Sequence, residues 1–335
     1  MCDSTGQRRV MILAQTDARN EIEPSFFELL SKIRGVFPNN GVRVAAMLAG
    51  YRLDSAARAL AASGADEVHI MDDERLGIFN PEYHIPACEA IVRAWDPDIL
   101  LIGATPAGED IAPALGQRLK TGVAAHCVDL LVGADGKFIQ MVPAFGGKVI
   151  GEIFTPEGKP EIASVKPGMF AAVKQRPAEC GIISLDPSPL DDVSPRIRLV
   201  ESLPSESAKR AVDKAELVLC GGFGVSGTDA WEMLDKLADK LGGAVGCTRP
   251  ALDAGMMDDE ECMIGTSGKS VRPKVYIGFG VSGAAHHMCG VQDAGLIISV
   301  NNDPDADVFR YSDYKVVADA AGLLPELLTR SLQIH

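Results

Sequence analysis

Two identical hexapeptides, Gly-Phe-Gly-Val-Ser-Gly, at residues 222–227 and 278–283, are the clearest candidates for chemistry in this chain. Both fit the pattern Gly-x-Gly-x-x-Gly, and each follows an apolar run that reads as a strand and precedes a predicted helix. Glycines permit a tight turn and close backbone approach, and N–H groups at the start of a helix can bind a phosphate. One such loop is weak evidence, because glycine turns between strands and helices are common without a ligand.

The second hexapeptide is followed, about 20 residues on, by Asp303, at the spacing of the acidic residue in a dinucleotide site. Two loops and this carboxylate predict a nucleotide or dinucleotide site within residues 220–320. The residue types do not choose between NAD and FAD.

No acid–base or nucleophilic constellation accompanies the loops, so no catalytic residue is predicted. The sequence contains no Gly-x-Ser-x-Gly, His-Glu-x-x-His or Walker lysine loop, and none of its eight cysteines forms a Cys-x-x-Cys pair. The adjacent His286 and His287 do not predict a metal site, because neighbouring side chains on a helix point in different directions. A sequence without such a set of catalytic residues suits a protein in which a bound cofactor performs the chemistry.

The elements that would position these loops alternate between strands and helices. In the first half, predicted strands at residues 10–14, 42–48, 67–71 and 99–102 alternate with helices at 24–36, 55–63, up to Trp95 and near 110–119. This alternation predicts a parallel, doubly wound sheet. From residue 128 to 170, β-prone runs at 138–142, 149–154 and 162–165 are split by Gly and Pro turns, which predicts added antiparallel strands.

A proline-rich stretch predicts a domain boundary near residues 198–206, with domains at 1–200 and 201–335. The second domain repeats the alternation, with strands at 217–220, 244–247, 275–277 and 296–300 and a final helix at about 323–332. Residues 228–241 predict an amphipathic helix, with Ser226 and Asp229 as its capping box. The fold class is therefore α/β: two domains, each a mostly parallel, doubly wound sheet flanked by helices.

Composition excludes several classes of partner. The 335 residues carry a net charge of −14, which repels the phosphates of nucleic acids and anionic membranes. No apolar run approaches the length of a membrane span, so membrane insertion is not predicted. The start of the chain has no apolar core of a signal peptide, and the cysteines are scattered; we expect a cytoplasmic protein with reduced thiols.

Beyond these patterns, nearly the whole chain resembles the α subunits of electron-transfer flavoproteins. In the second domain the resemblance lies in residues 246–255, 265–269, 276–287 and 300–304, with Phe309; in the first it lies in residues 103–110, 119–122 and 165–168. The resemblance implies FAD as the cofactor and a heterodimer with a β subunit. It also implies electron exchange with a flavin-containing dehydrogenase or acceptor, by an electron carrier rather than a substrate-converting enzyme.

The resemblance also implies roles for single residues. Arg249 would lie over the isoalloxazine ring, Ser267 near its reactive edge, and His287 would donate a hydrogen bond to the pyrimidine carbonyl. Asn301 and Asp319 would contact the adenosine end. The full set of implied cofactor-binding residues comprises these five and Gly224, Thr248, Ile264, Gly265, Thr266, Gly268, Gly280, Val281, Ser282, Gly283, Ala284, Ala285, His286 and Ala320.

Four positions, in three segments, depart from the family pattern. The family usually has Gly-Gly-Arg-Gly where this chain has Phe223 in place of the arginine, and Thr266-Ser267 and Thr248 replace a usual Gln-Thr and Ser. We expect the loss of one cation at residue 223 to weaken FAD retention or shift the flavin potential. Two alternatives stay open at this point: a stand-alone NAD-dependent oxidoreductase, and a non-catalytic module that senses a dinucleotide.

Overall fold

The computed structural model describes residues 7–17, 20–37, 41–144, 149–172, 180–201, 211–227 and 229–330. Contacts between residues divide the chain into two compact units, Met1–Glu201 and Ser202–His335. The predicted linker at residues 198–206 lies partly outside the described residues. Among the helices that are described, none combines the length and apolarity needed to cross a bilayer.

The described part of the first unit contains ten strands and four α-helices. In chain order they are β1 Arg8–Leu13, α1 Pro24–Val36, β2 Val42–Gly50, α2 Asp54–Ala61, β3 Glu67–Asp72, α3 Pro81–Trp95, β4 Ile99–Gly103, α4 Pro106–Leu119, β5 Val123–Cys127, β6 Asp129–Val132, β7 Phe138–Ala144, β8 Val149–Ile153, β9 Glu161–Val165 and β10 Gly181–Ser184. Short 3-10 turns lie at Glu74–Leu76 and Ser188–Leu190.

A seven-stranded parallel sheet forms the centre of this unit, in the order β10-β3-β2-β1-β4-β9-β5. Its central strands β1, β2 and β4 are mostly apolar, because helices cover both faces. Along β1, Val10 and Ile12 belong to the core that includes Phe26 of α1, whereas Met11 belongs to the core that includes Ile91 of α3. The prediction of a parallel, doubly wound sheet is confirmed.

The antiparallel addition has three strands, but they are not the three that were predicted. Strands β6, β7 and β8 form a separate antiparallel sheet, but β9, predicted among the antiparallel strands, pairs in parallel with β4 and β5. Its residues from Ile162 to Val165 are buried, as expected for a strand inserted into the covered sheet. Strand β10, which lies close to the proline-rich stretch and was not predicted, adds a parallel edge beside β3.

The second unit has a five-stranded, all-parallel sheet in the order β12-β11-β13-β14-β15. Its elements are β11 Leu217–Gly221, α5 Ala230–Leu241, β12 Ala244–Cys247, α6 Arg249–Asp253, β13 Val275–Phe279, α7 Ala285–Met288, β14 Ile297–Asn301, β15 Tyr314–Val317 and α8 Ala320–Arg330, with 3-10 turns at Phe223–Val225, Glu260–Cys262 and Asp307–Arg310. In open sheets of this kind ligands bind at the carboxyl ends of the strands.

The capping box predicted for α5 is wrong. Asp229 is the N-cap residue, but its side chain makes no capping hydrogen bond, and the buried hydroxyl of Ser226 has no hydrogen-bond partner among the described residues. Helix α5 is held instead by its apolar face, on which Leu234 and Leu237 are buried. Gly242 ends the helix in a left-handed conformation, as the sequence predicts.

Candidate functional site

The two hexapeptides lie side by side, because β11 and β13 are adjacent parallel strands, but they occupy different positions in their strands. Cys220 lies opposite Gly278, and Gly221 lies opposite Phe279. The second hexapeptide therefore begins inside β13, whereas the first begins beyond the end of β11. Identical sequences are thus offset by two residues along the sheet.

The first loop braces the second by direct backbone contact. Gly222 N–H donates to the carbonyl of Phe279 at 2.8 Å, and Gly224 N–H donates to the carbonyl of Gly280 at 3.0 Å. A Cβ atom on Gly222 would lie 2.2 Å from the carbonyl oxygen of Gly280, so a side chain cannot be accommodated there. These N–H groups bind the neighbouring loop, and the first loop is not an independent phosphate site.

The second loop presents backbone N–H groups without protein partners. Within the described part of the chain, the N–H groups of Ser282, Gly283 and Ala284 donate to no acceptor. The loop is held from behind, since Asn301 Nδ2 donates to the carbonyl of Val281 at 2.9 Å. The carbonyl of Ser282 also accepts from Val308 N–H at 3.0 Å. Consecutive free N–H groups on a fixed turn form an anion-binding surface.

These segments enclose a cavity of about 560 Å³ at the carboxyl edge of the sheet. A volume of this size is typical of sites for cofactors. Most of the predicted binding residues line it, namely Gly224, Thr248, Arg249, Ile264, Gly265, Thr266, Ser267, Gly280, Val281, Ser282, Ala284, His286, His287 and Asn301. The structure therefore brings together blocks that lie up to 77 residues apart in sequence, from Gly224 to Asn301.

Five predicted residues do not line the cavity, and their contact with a cofactor stays a prediction. Gly268 closes a turn by donating to the carbonyl of Gly265, and Gly283, at φ +90°, packs against the backbone of Val308. Ala285 begins α7. Asp319 accepts from Gly322 N–H at 3.1 Å and so caps α8, of which Ala320 is the buried first residue.

Three residues that line the cavity were not predicted to bind: Phe223, Pro250 and Met263. All three are apolar, whereas most of the residues predicted to bind are glycines or polar residues. Pro250 and Met263 each stand next to a predicted residue, and Met263 reaches the wall because its segment bridges to Cys247 at the end of β12. Phe223 was noted only as a departure from the family.

Arg249 is the fixed cation on the wall. It begins α6, directly after Thr248 at the end of β12, and its Nε donates to Asp253 Oδ1 at 2.7 Å. This hydrogen bond and the charge of Asp253 raise the pKa of Arg249. Lys269 is also paired with an acidic side chain, with its Nζ 2.5 Å from Glu261, but unlike Arg249 it does not line the cavity.

His287 is held by the protein through both ring nitrogens. Nδ1 lies 2.9 Å from the carbonyl oxygen of Ile264, and Nε2 lies 2.8 Å from the hydroxyl of Tyr276. Burial lowers the pKa of His287, which favours the neutral ring. A carbonyl only accepts, so Nδ1 carries the proton and Nε2 accepts from Tyr276. Both ring nitrogens of His287 have protein partners here, and the hydrogen bond from His287 to the flavin stays a prediction.

His286 and Thr266 form the adjoining part of the wall. Thr266 N–H donates to the carbonyl of His286 at 2.7 Å, and its hydroxyl lies 3.4 Å from His286 Nδ1. The hydroxyl also lies 3.0 Å from Cys289 Sγ. Both histidines line the cavity, but His286 is exposed whereas His287 is buried, so the two adjacent histidines have different environments.

The chemistry of the walls fits a flavin dinucleotide. Apolar side chains, including Ile264 and Val281, suit a flat ring system, and the free N–H groups of the second loop suit a diphosphate. The described residues contain no cluster of three or more side chains that could hold a metal ion. Fold and cavity thus define a dinucleotide-binding protein with two α/β units.

Comparison with known proteins identifies the family. The model of the electron transfer flavoprotein FAD-binding domain matches residues 211–292, and that of the electron transfer flavoprotein domain matches residues 10–189. The chain is 33% identical over 304 residues to the electron transfer flavoprotein subunit alpha of Thermoanaerobacterium thermosaccharolyticum, which covers 90% of this chain and 91% of the relative. It is also 33% identical over 315 residues to protein FixB of Clostridium saccharobutylicum, covering 94% and 93% of the two chains.

A third relative is subunit LctC of the lactate dehydrogenase (NAD(+),ferredoxin) of Acetobacterium woodii. It is 32% identical over 311 residues, which cover 92% of this chain and 73% of the relative. This chain belongs to the electron-transfer flavoprotein family, as a member of its α-subunit branch. It carries an FAD-binding domain and functions in electron transfer, and the predicted fold, cofactor and family are confirmed.

Proposed function

We propose that FAD occupies the cavity at the carboxyl edge of β11, β12, β13 and β14, and that the chain carries this FAD within a two-subunit electron carrier. The observation that supports this site most strongly is the second loop, where free N–H groups lie beside an apolar wall in the same cavity. FAD needs both surfaces side by side, because the N–H groups bind its diphosphate and the apolar wall contacts its isoalloxazine ring.

Ser282, Gly283 and Ala284 hold the diphosphate through their backbone N–H groups. Thr248, Arg249 and Ser267 surround the ring system from the opposite wall. When bound, FAD supplies reversible one- and two-electron transfer. The guanidinium of Arg249 favours a negatively charged reduced ring over a neutral oxidised one, because a nearby cation stabilises the anion.

The partner in this proposal is a β subunit that contacts the first unit. Electrons come from a flavin-containing dehydrogenase, or from NADH through the partner, and pass to an acceptor. Two relatives are themselves named as subunits, one of an electron transfer flavoprotein and one of a lactate dehydrogenase. All seven cysteines in the described residues are free, which supports a cytoplasmic location.

Obstructing the cavity tests the site. Ala284 is exposed on its wall, and we expect Ala284→Trp to exclude FAD without disturbing the core. Ala134→Trp, at an exposed turn of the first unit, is the matched control. The complex is co-expressed with its β subunit, and bound FAD per α chain is measured from flavin absorbance after denaturation. Full FAD content in the Ala284→Trp α chain would show that FAD binds elsewhere.

A further inference from the structure

We propose that Phe223 binds the cofactor by stacking on a flat aromatic ring of the bound dinucleotide, in the place where a cation was expected. This inference rests on the proposed location of FAD in the cavity. It starts from the two identical hexapeptides, whose phenylalanines have opposite environments. Phe279 is fully buried, whereas Phe223 is 62% exposed and lines the cavity.

The exposure of Phe223 is imposed by the backbone. Because Gly222 and Gly224 are in contact with Gly280, the first loop cannot sink further toward the sheet. The 3-10 turn over Phe223–Val225 then directs Val225 into the core, where it is fully buried. Phe223 precedes Val225 by two residues and is left on the cavity side.

Phe223 supplies the only phenyl, phenol or indole ring on the described wall of the cavity. A large apolar side chain exposed at a binding site gains free energy when a ligand covers it. Aromatic faces stack on flat heterocycles, and loss of one such contact weakens binding about tenfold or more per base in proteins that bind single-stranded nucleic acids. A phenyl ring has no charge with which to bind a phosphate. We therefore expect Phe223 to contact a ring of the cofactor and not its diphosphate.

FAD contains two flat ring systems, isoalloxazine and adenine. Either ring could stack on Phe223. Fragments of the cofactor that contain only one of the rings show which ring makes the contact. FMN retains isoalloxazine without adenine, and ADP retains adenine without isoalloxazine. Comparing the two fragments with whole FAD therefore assigns the contact to one ring.

The test uses the αβ complex stripped of FAD and titrated with FAD, FMN and ADP by calorimetry. We expect Phe223→Ala to weaken FAD binding about tenfold, within the range of a lost stacking contact. Phe223→Tyr, which keeps the ring, should bind FAD within about twofold of wild type by the same principle. If the contact is with isoalloxazine, Phe223→Ala also weakens FMN but not ADP; if it is with adenine, the reverse holds.

Phe154→Ala is the matched control, since Phe154 is an exposed phenylalanine of the first unit, at 47%. Unchanged affinity of Phe223→Ala for all three ligands would overturn the inference, as would an equal loss in Phe154→Ala. The Ala284→Trp variant separates this failure from failure of the site. If Ala284→Trp loses FAD while Phe223→Ala does not, the cavity is correct and the role of Phe223 is wrong. If both retain FAD, the cavity itself is not the site.

Discussion

The hydroxyl of Tyr276 lies 2.8 Å from Nε2 of His287, and both side chains are buried beneath the cavity. Through Nδ1, His287 reaches the carbonyl of Ile264 on the cavity wall. This chain of hydrogen bonds joins β13 and α7 to the segment that contains Thr266 and Ser267. The pair therefore positions the wall of the cavity and orients the imidazole at the same time.

Tyr276→Phe removes the donor and leaves Nε2 of His287 with only the thiol of Cys220, a weak donor at 3.9 Å. We expect a loss of about 1–3 kcal/mol in the free energy of unfolding, since a buried acceptor without a strong partner bears its desolvation cost. FAD affinity should fall with it. Urea unfolding and FAD titration measure the two effects. Tyr311→Phe, at a tyrosine that is 42% exposed, is the control and should change neither quantity.

Stability should fall on acidification because of His287. Burial lowers its pKa in the folded chain, so below about pH 6.5 the unfolded chain binds a proton that the folded chain does not. The stabilising contribution is complete above that pH and is lost as pH falls toward the lowered pKa. Its slope is at most about 1.4 kcal/mol per pH unit.

Urea unfolding at pH 5.5, 6.5 and 7.5 measures this slope, and His287→Gln should flatten it. His84, whose pKa burial also lowers, makes the same kind of contribution in the first unit. His84→Gln should therefore flatten the slope for that unit alone. A slope in the second unit that His287→Gln leaves unchanged would contradict the assignment.

Gly222→Ala should separate the two loops. Its Cβ would lie 2.2 Å from the carbonyl oxygen of Gly280, so one loop must move, and such overpacking costs about 1–3 kcal/mol. We expect lower thermal stability and lower FAD content. Gly181→Ala is the control, because nothing lies within 4 Å of its Cβ position and its φ is ordinary. Normal FAD content in Gly222→Ala would show that the contact between the two loops is not needed for FAD binding.

Arg249→Gln should lower the flavin midpoint potential. Without the cation, we expect the preference for reduced over oxidised flavin to fall by about tenfold, the size of a partly screened charge interaction. The effect should shrink in high salt, because Arg249 is exposed. Asp253→Asn leaves the guanidinium but removes its anionic partner at 2.7 Å, so its shift should have the opposite sign. Spectroelectrochemical titration of both variants provides the comparison, and shifts of the same sign would contradict the role of Arg249.

Local patterns in the sequence determined much of this protein. The apolar period of α1 predicted its bounds at residues 24–36, and the alternation of strands with helices predicted a parallel, doubly wound sheet. These features follow from the neighbours of each residue along the chain, so they can be read without the fold. The blocks around Arg249, Ser267 and Ser282 were likewise recognisable, and the structure places all three on one cavity.

Only the tertiary structure decided which environment each of the two identical hexapeptides occupies. Phe223 and Phe279 occupy the same place in identical hexapeptides, yet one lines the cavity and the other lies in the core. The two hexapeptides differ because β11 and β13 pair with an offset between them, and this pairing involves residues outside either hexapeptide. Contacts across the sheet also decide that β9 runs parallel to β4 in the main sheet. Likewise, only the fold brings Nδ1 of His287 to the carbonyl of Ile264, a residue 23 positions away along the chain.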